Sequence, residues 1–252
     1  MVVETKDVAP GVRLLTLNRP PANAINRELG RALYDQCAAA AADKTVRALI
    51  VTGAGRFFCG GLDLKELVGD GSPLGRLASA RSDGVYALWS LPKPTVAMIN
   101  GHAIAGGAVI ALACDFRITC RGSHKMGLNE VAIGLGFPTG AFEIARLALG
   151  DHAIRRVLLE AKLYDVESAR ELGMVDEVVE ANALEARCLE LASRLAAHGQ
   201  LAYAHTKKTL QRRAIDQINA AAEENSRDLA EIVRSEETKQ LLQAQLAAVT
   251  KK

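Results

Sequence analysis

At 252 residues the chain can bury one sizeable core with a smaller appendage. Its 49% hydrophobic and 24% charged residues are ordinary for a globular protein, and a formal net charge of +2 is too small to point by itself to nucleic acid or an anionic membrane. The five cysteines, Cys37, Cys59, Cys114, Cys120 and Cys188, are odd in number without C-x-x-C spacing, and read as reduced thiols that mostly pack rather than as a disulfide or zinc framework.

In chain order, apolar segments rich in strand formers run over Val12–Leu17, Ala48–Thr52, Thr95–Ile99 and Phe116–Thr119, each bounded by Gly, Pro, Asn or Asp. Helical patterns lie between them at Arg27–Ala42 and Leu74–Leu91. Such alternation predicts an α/β core. From about Ala181 the chain is nearly pure helix, and Gly is absent after Gly199. This predicts a helical C-terminal region over 196–252, joined at His198-Gly199, after a core over 1–195. Its apolar stripe, with Leu229, Ile232 and Val233 at helical spacing, packs on its own core or on a neighbouring subunit. The amino terminus MVVETKDVAP resembles neither a signal nor a typical transit peptide. The longest uncharged apolar run has twelve residues, too short to span a membrane. The carboxyl end TKK is not a peroxisomal SKL address, so a cytoplasmic protein is expected.

Two glycine sites stand out. In AIAGGAVIALAC, residues 103–114, Gly106 and Gly107 open a buried helix that carries no carboxylate. The first N–H groups of a helix lack internal partners and sit at the positive end of its dipole, and glycine lets a substrate oxygen approach them. Upstream, RFFCGGLDLKEL at 56–67 places Gly60 and Gly61 before Asp63 and Glu66, the D-x-x-E spacing of a capping box. A tight turn followed by a capped helix leaves the Leu62 N–H unpaired, as a second donor. Two amides aimed at a developing oxyanion form the usual largest catalytic contribution, with roughly 2.7–4 kcal/mol lost per donor removed.

With their flanks, these sites resemble the enoyl-CoA hydratase/isomerase, or crotonase, superfamily. The resemblance runs through LNRPPANAIN (17–26), FFCGGLDLKEL (57–67), KPTVAMINGHAIAGGAVIALACDFRI (93–118), GLNEVAIGLGFPTG (127–140) and ARELGMVDEVV (169–179). It implies a spiral of ββα units with a C-terminal helical region serving trimerisation and part of the CoA site, a homotrimer or dimer of trimers, and an acyl-CoA thioester as ligand. The thioester oxygen would accept from the Leu62 and Gly106 N–H groups. Adenine and pantetheine would lie along Asn23, Ala24 and Ile25 and beside Gly60, Gly61, Asp63 and Leu64, and Lys207 or Lys208 would meet the CoA phosphates, a solvated helix face being the alternative.

One departure from the family pattern decides the expected chemistry. Hydratases of this family commonly carry a glutamate three residues after the second oxyanion glycine, where this chain has Val109; the other family glutamate is present as Glu130. Hydration uses two carboxylates, one to activate water and one to deliver a proton. Moving a double bond from the 3 to the 2 position needs one, which takes a proton from C2 and returns it at C4. GLNE and PPANAIN also resemble the Δ3,Δ2-enoyl-CoA isomerase branch. Glu130 is therefore expected to be the shuttle, its pKa raised by Val131, Ala132 and Ile133 around it. Hydration or thioester cleavage using another acid, and non-catalytic acyl-CoA or RNA binding, stay open.

Other polar residues have plainer readings. Glu66 and Asp70 cap or solvate unless they reach the acyl pocket, Glu143 is a weaker candidate of the same kind, and Asp115 caps or pairs. Acyl-chain contacts are expected from Val68 to Arg81. The five histidines show no ligand spacing, so neither metal nor cofactor beyond the substrate's CoA is expected. The small charge and the lack of aromatic interleaving argue against nucleic acid.

Overall fold

The computed structural model describes residues 1–70 and 84–250. Among the described residues nine strands form two sheets. The larger has the order β1 (Val3–Ala9), β2 (Val12–Leu17), β3 (Ala48–Gly53), β5 (Thr95–Ile99), β7 (Phe116–Cys120), β9 (Glu177–Val179). The smaller comprises β4 (Phe57–Cys59), β6 (His102–Ile104) and β8 (Met126–Gly127). Among the described strands β1 and β2 pair antiparallel and the other strand pairs are parallel, with an antiparallel bridge from Met126 of β8 to Tyr164. Three times in succession the chain lays one strand in the large sheet and the next in the small one before turning into a helical segment. Those helical segments start with α2 (Leu64–Asp70), α4 (Gly106–Ala113) and the 3-10 turn Val131–Ile133. The molecule is thus the expected α/β spiral of ββα units.

Both faces of the large sheet are covered, which is why its strands read as unbroken apolar runs rather than alternating ones. Successive side chains point to opposite faces. Leu49, Val51, Ala97 and Ile99 enter the main core with α1 (Arg27–Ala42), α3 (Gly84–Trp89) and α4. Ala48, Ile50, Val96 and Met98 face α7 (Leu184–Ala196) through Cys188, Leu191 and Leu195. Asn26 caps α1 by accepting from Leu29 N–H at 2.9 Å. Between these elements lie α5 (Thr139–Glu160), interrupted at Gly150, and α6 (Val166–Glu171). The chain ends in α8 (Gln200–Arg234) and α9 (Glu236–Thr250).

Of the helix expected over Leu74–Leu91, the described part is Gly84–Trp89. Residues 71–83, and with them most of the stretch expected to line the acyl pocket, lie outside the described residues, as does the side chain of Asp70. No helix among the described residues is long and apolar enough to cross a membrane.

Candidate active site

The small sheet assembles the site, because the segments leaving β4, β6 and β8 carry the two glycine turns and Glu130. After β4, Gly61 turns at φ 91°. A side chain there would meet the Ile104 carbonyl at 2.8 Å and the Gly106 nitrogen at 3.5 Å, so the turn presses directly on the segment entering α4. The Leu62 nitrogen in turn lies 3.8 Å from where a Cβ on Gly106 would stand. The two amides expected to act together are therefore neighbours.

Hydrogen bonding explains why both amides remain free. Ile25 and Leu62 form a parallel bridge in which Ile25 N–H donates to Gly61 O at 2.7 Å and Asp63 N–H donates to Ile25 O at 2.9 Å. In this pattern the amide of Leu62 points away from its partner strand. Gly106 begins α4, so its N–H has no carbonyl one turn earlier in the helix to reach. The residue before it, Ala105, adopts φ 52° and ψ −125°, a conformation costly for a residue with a Cβ. Its own N–H is anchored on Gly127 O at 2.7 Å. Gly107 lets α4 lie against the Cys59 carbonyl, which any side chain would strike.

The loop expected to hold the CoA runs alongside this turn. Gly60 N–H donates to Ala22 O at 2.8 Å, and with the Ile25–Leu62 bridge this sets 22–25 against 60–63. The Asn23 side chain, however, turns inward. It is fully buried at φ 52° and its amide donates to Ala54 O and Phe57 O at 2.9 and 2.8 Å, while its Oδ1 accepts from Arg19 N–H at 3.0 Å. Its part is to shape the loop. Ala24 and Leu64 are half-buried and Ile25 is buried beside Gly106.

Arg19 ties this loop to α2, and the sequence reading missed it. Its guanidinium donates to Ala24 O at 3.0 Å and pairs with the Asp63 carboxylate at 2.6 Å. Asp63 also accepts from Lys65 N–H at 2.9 Å, whereas Glu66 accepts from Arg27 N–H at 3.2 Å, at the start of α1. The expected reciprocal capping box is not made: Glu66 caps a different helix, since Asp63 N–H is already committed to Ile25.

Glu130 follows β8 and opens the 3-10 turn. Its main-chain oxygen accepts from Ile133 and Leu135 N–H at 3.0 and 2.9 Å. The side chain is buried, with Oε2 lacking any partner. Burial pushes its carboxyl up to about 7, opposed only by its own main-chain N–H. The residues expected to bury it do not all do so: Val131 is 49% exposed and Ala132 is exposed too. Only Ile133 turns inward, toward Leu67, Leu135 and Leu242. The adjacent Asn129 Oδ1 is likewise buried without a partner. Val109 is buried in the main core one turn into α4.

The remaining candidates are engaged elsewhere. Glu143 is buried and paired with Arg146 at 2.7 Å. Asp115 accepts from Thr95 N–H, Tyr203 and Lys207, the pairing role expected of it. Lys207 cannot meet a phosphate: it is 6% exposed, and its ammonium is held by Asp115 at 2.9 Å and by Lys93 O. Lys208 is exposed. Cys59 donates its thiol to Asn23 O at 3.1 Å, and burial pushes it up to about 12, too high for a nucleophile. Among the described residues no three His, Cys, Asp or Glu side chains gather as metal ligands.

What this geometry can do is polarise a carbonyl with two main-chain amides and move a proton with one buried carboxyl. The family described as enoyl-CoA hydratase/isomerase matches residues 7–247, and the chain belongs to it. A 2,3-dehydroadipyl-CoA hydratase of Escherichia coli is 31% identical over 204 residues, 79% of this chain and 78% of that one. Among solved structures, an enoyl-CoA isomerase of Mycobacterium tuberculosis is 32% identical, covering 88% of this chain and 96% of that one at a TM-score of 0.80. The human mitochondrial Δ3,Δ2-enoyl-CoA isomerase superposes at a TM-score of 0.91 over 100% of this chain and 99% of its own. At 24% identity that last likeness speaks for the fold.

Proposed function

We propose that this enzyme is an acyl-CoA isomerase that moves a 3-enoyl double bond to the 2 position. The observation that carries the reading is the buried carboxyl of Glu130, whose Oε2 has no partner, together with valine at position 109 where a hydratase of the family commonly has its second acid. Ionised Glu130 removes a C2 proton that the thioester makes acidic. Negative charge develops on the thioester oxygen, which accepts from the Leu62 and Gly106 N–H groups. The dienolate takes the same proton back at C4, and Glu130 is again a carboxylate. A carboxyl that ionises near 7 suits both halves, because neither its acid nor its base form is far out of reach.

Lys208 rather than Lys207 is the free cation for a CoA phosphate in this reading, and assembly as a trimer or dimer of trimers belongs to it too. Exposed Leu159, Leu201 and Leu210 supply apolar surface for such contacts. The M. tuberculosis protein, described as an isomerase in one solved structure and as a probable enoyl-CoA hydratase in another, is compatible with either reaction. The E. coli hydratase favours a second reading, hydration with a different acid.

The test supplies purified enzyme with 3-enoyl-CoA and follows appearance of the conjugated thioester. Glu130→Gln is expected to lower turnover by about 10²–10⁴-fold while acyl-CoA binding by calorimetry persists. Unchanged turnover removes Glu130 from the chemistry, and 3-hydroxyacyl-CoA formed from 2-enoyl-CoA at a higher rate than isomerisation moves the enzyme to the hydratases.

A further inference from the structure

The turn that Glu130 opens is packed against residues from the far end of the chain. A side chain on Gly136 would stand 2.8 Å from Ile232 Cδ1 and Leu229 Cδ2 of α8. One on Gly134 would stand 2.9 Å from Leu241 Cδ1 and 3.2 Å from Thr238 Cα of α9. Both glycines therefore let the terminal helices settle onto the turn that follows the acid. Leu242 of α9 is buried with Leu67 of α2 and Leu135, and Leu62 and Ile133 pack against the three. The helix thus bridges the two halves of the site, one half following the oxyanion amide and the other following Glu130.

One polar contact stands within this apolar junction. Thr238 is 3% exposed, and its hydroxyl donates to Gly134 O at 2.7 Å; no other donor reaches that carbonyl among the described residues. A buried hydroxyl with a single directional bond to a turn carbonyl fixes position, where leucine packing alone tolerates sliding. Gly134 has φ 75° and brings no side chain of its own to this contact.

We propose that Thr238 is a positioning residue of the active site: its bond to Gly134, with Leu242 beside it, clamps α9 onto the 130–136 turn and keeps water from the Glu130 carboxyl. The catalytic consequence rests on the isomerase reading, but the clamp itself does not. When the clamp loosens, water reaches the carboxylate, and the acid ionises more readily because its charged form is better solvated.

The experiment titrates Glu130 directly, as the carboxyl signal in infrared difference spectra against Glu130→Gln, in the wild type, Thr238→Val and Thr238→Ser. Valine keeps the shape of threonine and removes the donor; serine keeps the donor. The wild-type midpoint is expected near 7, and Thr238→Val is expected to lower it by about one pH unit or more, with serine restoring it. The acid limb of the pH–rate profile moves with it, and kcat falls about tenfold with KM within about twofold, since no CoA contact changes. If Thr238→Val fails to fold, Leu242→Ala opens the same roof and is read by the same titration. A midpoint unmoved in either variant overturns the clamp whatever reaction the enzyme performs. A midpoint that moves in a protein without isomerase activity upholds the clamp and sinks the isomerase reading alone.

Discussion

A buried acid that keeps its proton up to pH 7 costs the native state stability, and Glu130→Gln exposes that cost. Burial raises the carboxyl from 4.5 to about 7. Below pH 4.5 native and unfolded chains both hold the proton, so the residue contributes nothing. Between 4.5 and 7 the unfolded chain releases it while the native state keeps it, so stability falls as pH rises through that window. Above 7 the loss levels off at about 3 kcal/mol, at about 1.36 kcal/mol for each pH unit separating the two values. Glutamine has nearly the shape of the protonated acid and no charge to bury. Glu130→Gln is therefore expected to match the wild type at pH 4 and to exceed it by about 3 kcal/mol at pH 8, which for a chain of this size is roughly 6–12 °C in melting temperature. Urea unfolding at the two pH values, with both proteins at equal concentration, measures the difference. An equal gain at pH 4 and pH 8 refutes the electrostatic argument, because only the titrating charge distinguishes them. No gain at pH 8 refutes the burial of the carboxyl.

The other substitutions separate polarisation from scaffolding. Gly106→Ala places a methyl 3.1 Å from Ile25 Cδ1 and 3.8 Å from the Leu62 nitrogen, in the space between the two amides. The flexible Ile25 end gives way, so stability holds, but the oxyanion loses access to a donor and kcat is expected to fall about 10²–10³-fold, read by the same conjugation assay with thermal melts as control. Lys207→Met strands the Asp115 carboxylate at the junction of α8 with the core and is expected to destabilise the fold by about 3 kcal/mol. Its KM for acyl-CoA stays at the wild-type value, and a large rise in KM without loss of stability would return Lys207 to the CoA site.

The parts of the architecture governed by local pattern were legible in the sequence. Arg27–Ala42, Val12–Leu17 and Thr95–Ile99 form with the bounds their periodicity indicates, because each pairs a clean hydrophobic pattern with a Gly, Pro, Asn or Asp boundary. The turns at Gly60-Gly61 and Gly106-Gly107 were legible for a steric reason, as nothing but hydrogen fits against Ile104 O or Cys59 O. What misled was adjacency. The apolar neighbours of Glu130 in sequence are partly solvent-facing, and the turn that it opens is packed by a helix about one hundred residues later, which no local window contains. The D-x-x-E spacing after Gly61 was likewise genuine, but Glu66 found a better donor in another helix. Lys207 was misplaced although a signal existed. Lys207, Gln211, Ala214 and Ile218 recur at helical spacing and form the buried stripe of α8, so that lysine sits on the apolar side of its helix while Lys208 falls outside it.

The two amides that would meet the thioester oxygen belong to the main chain, so of all substitutions at those positions only proline erases one; any other can only crowd or tilt it. The acids around them are side chains, each replaceable in a single step, as valine at 109 illustrates. Polarising power in this scaffold is thus inherited with the fold itself, whereas the choice of reaction is left to a few exchangeable residues. New activities can arise here by swapping an acid, without rebuilding the electrophilic half of the machinery.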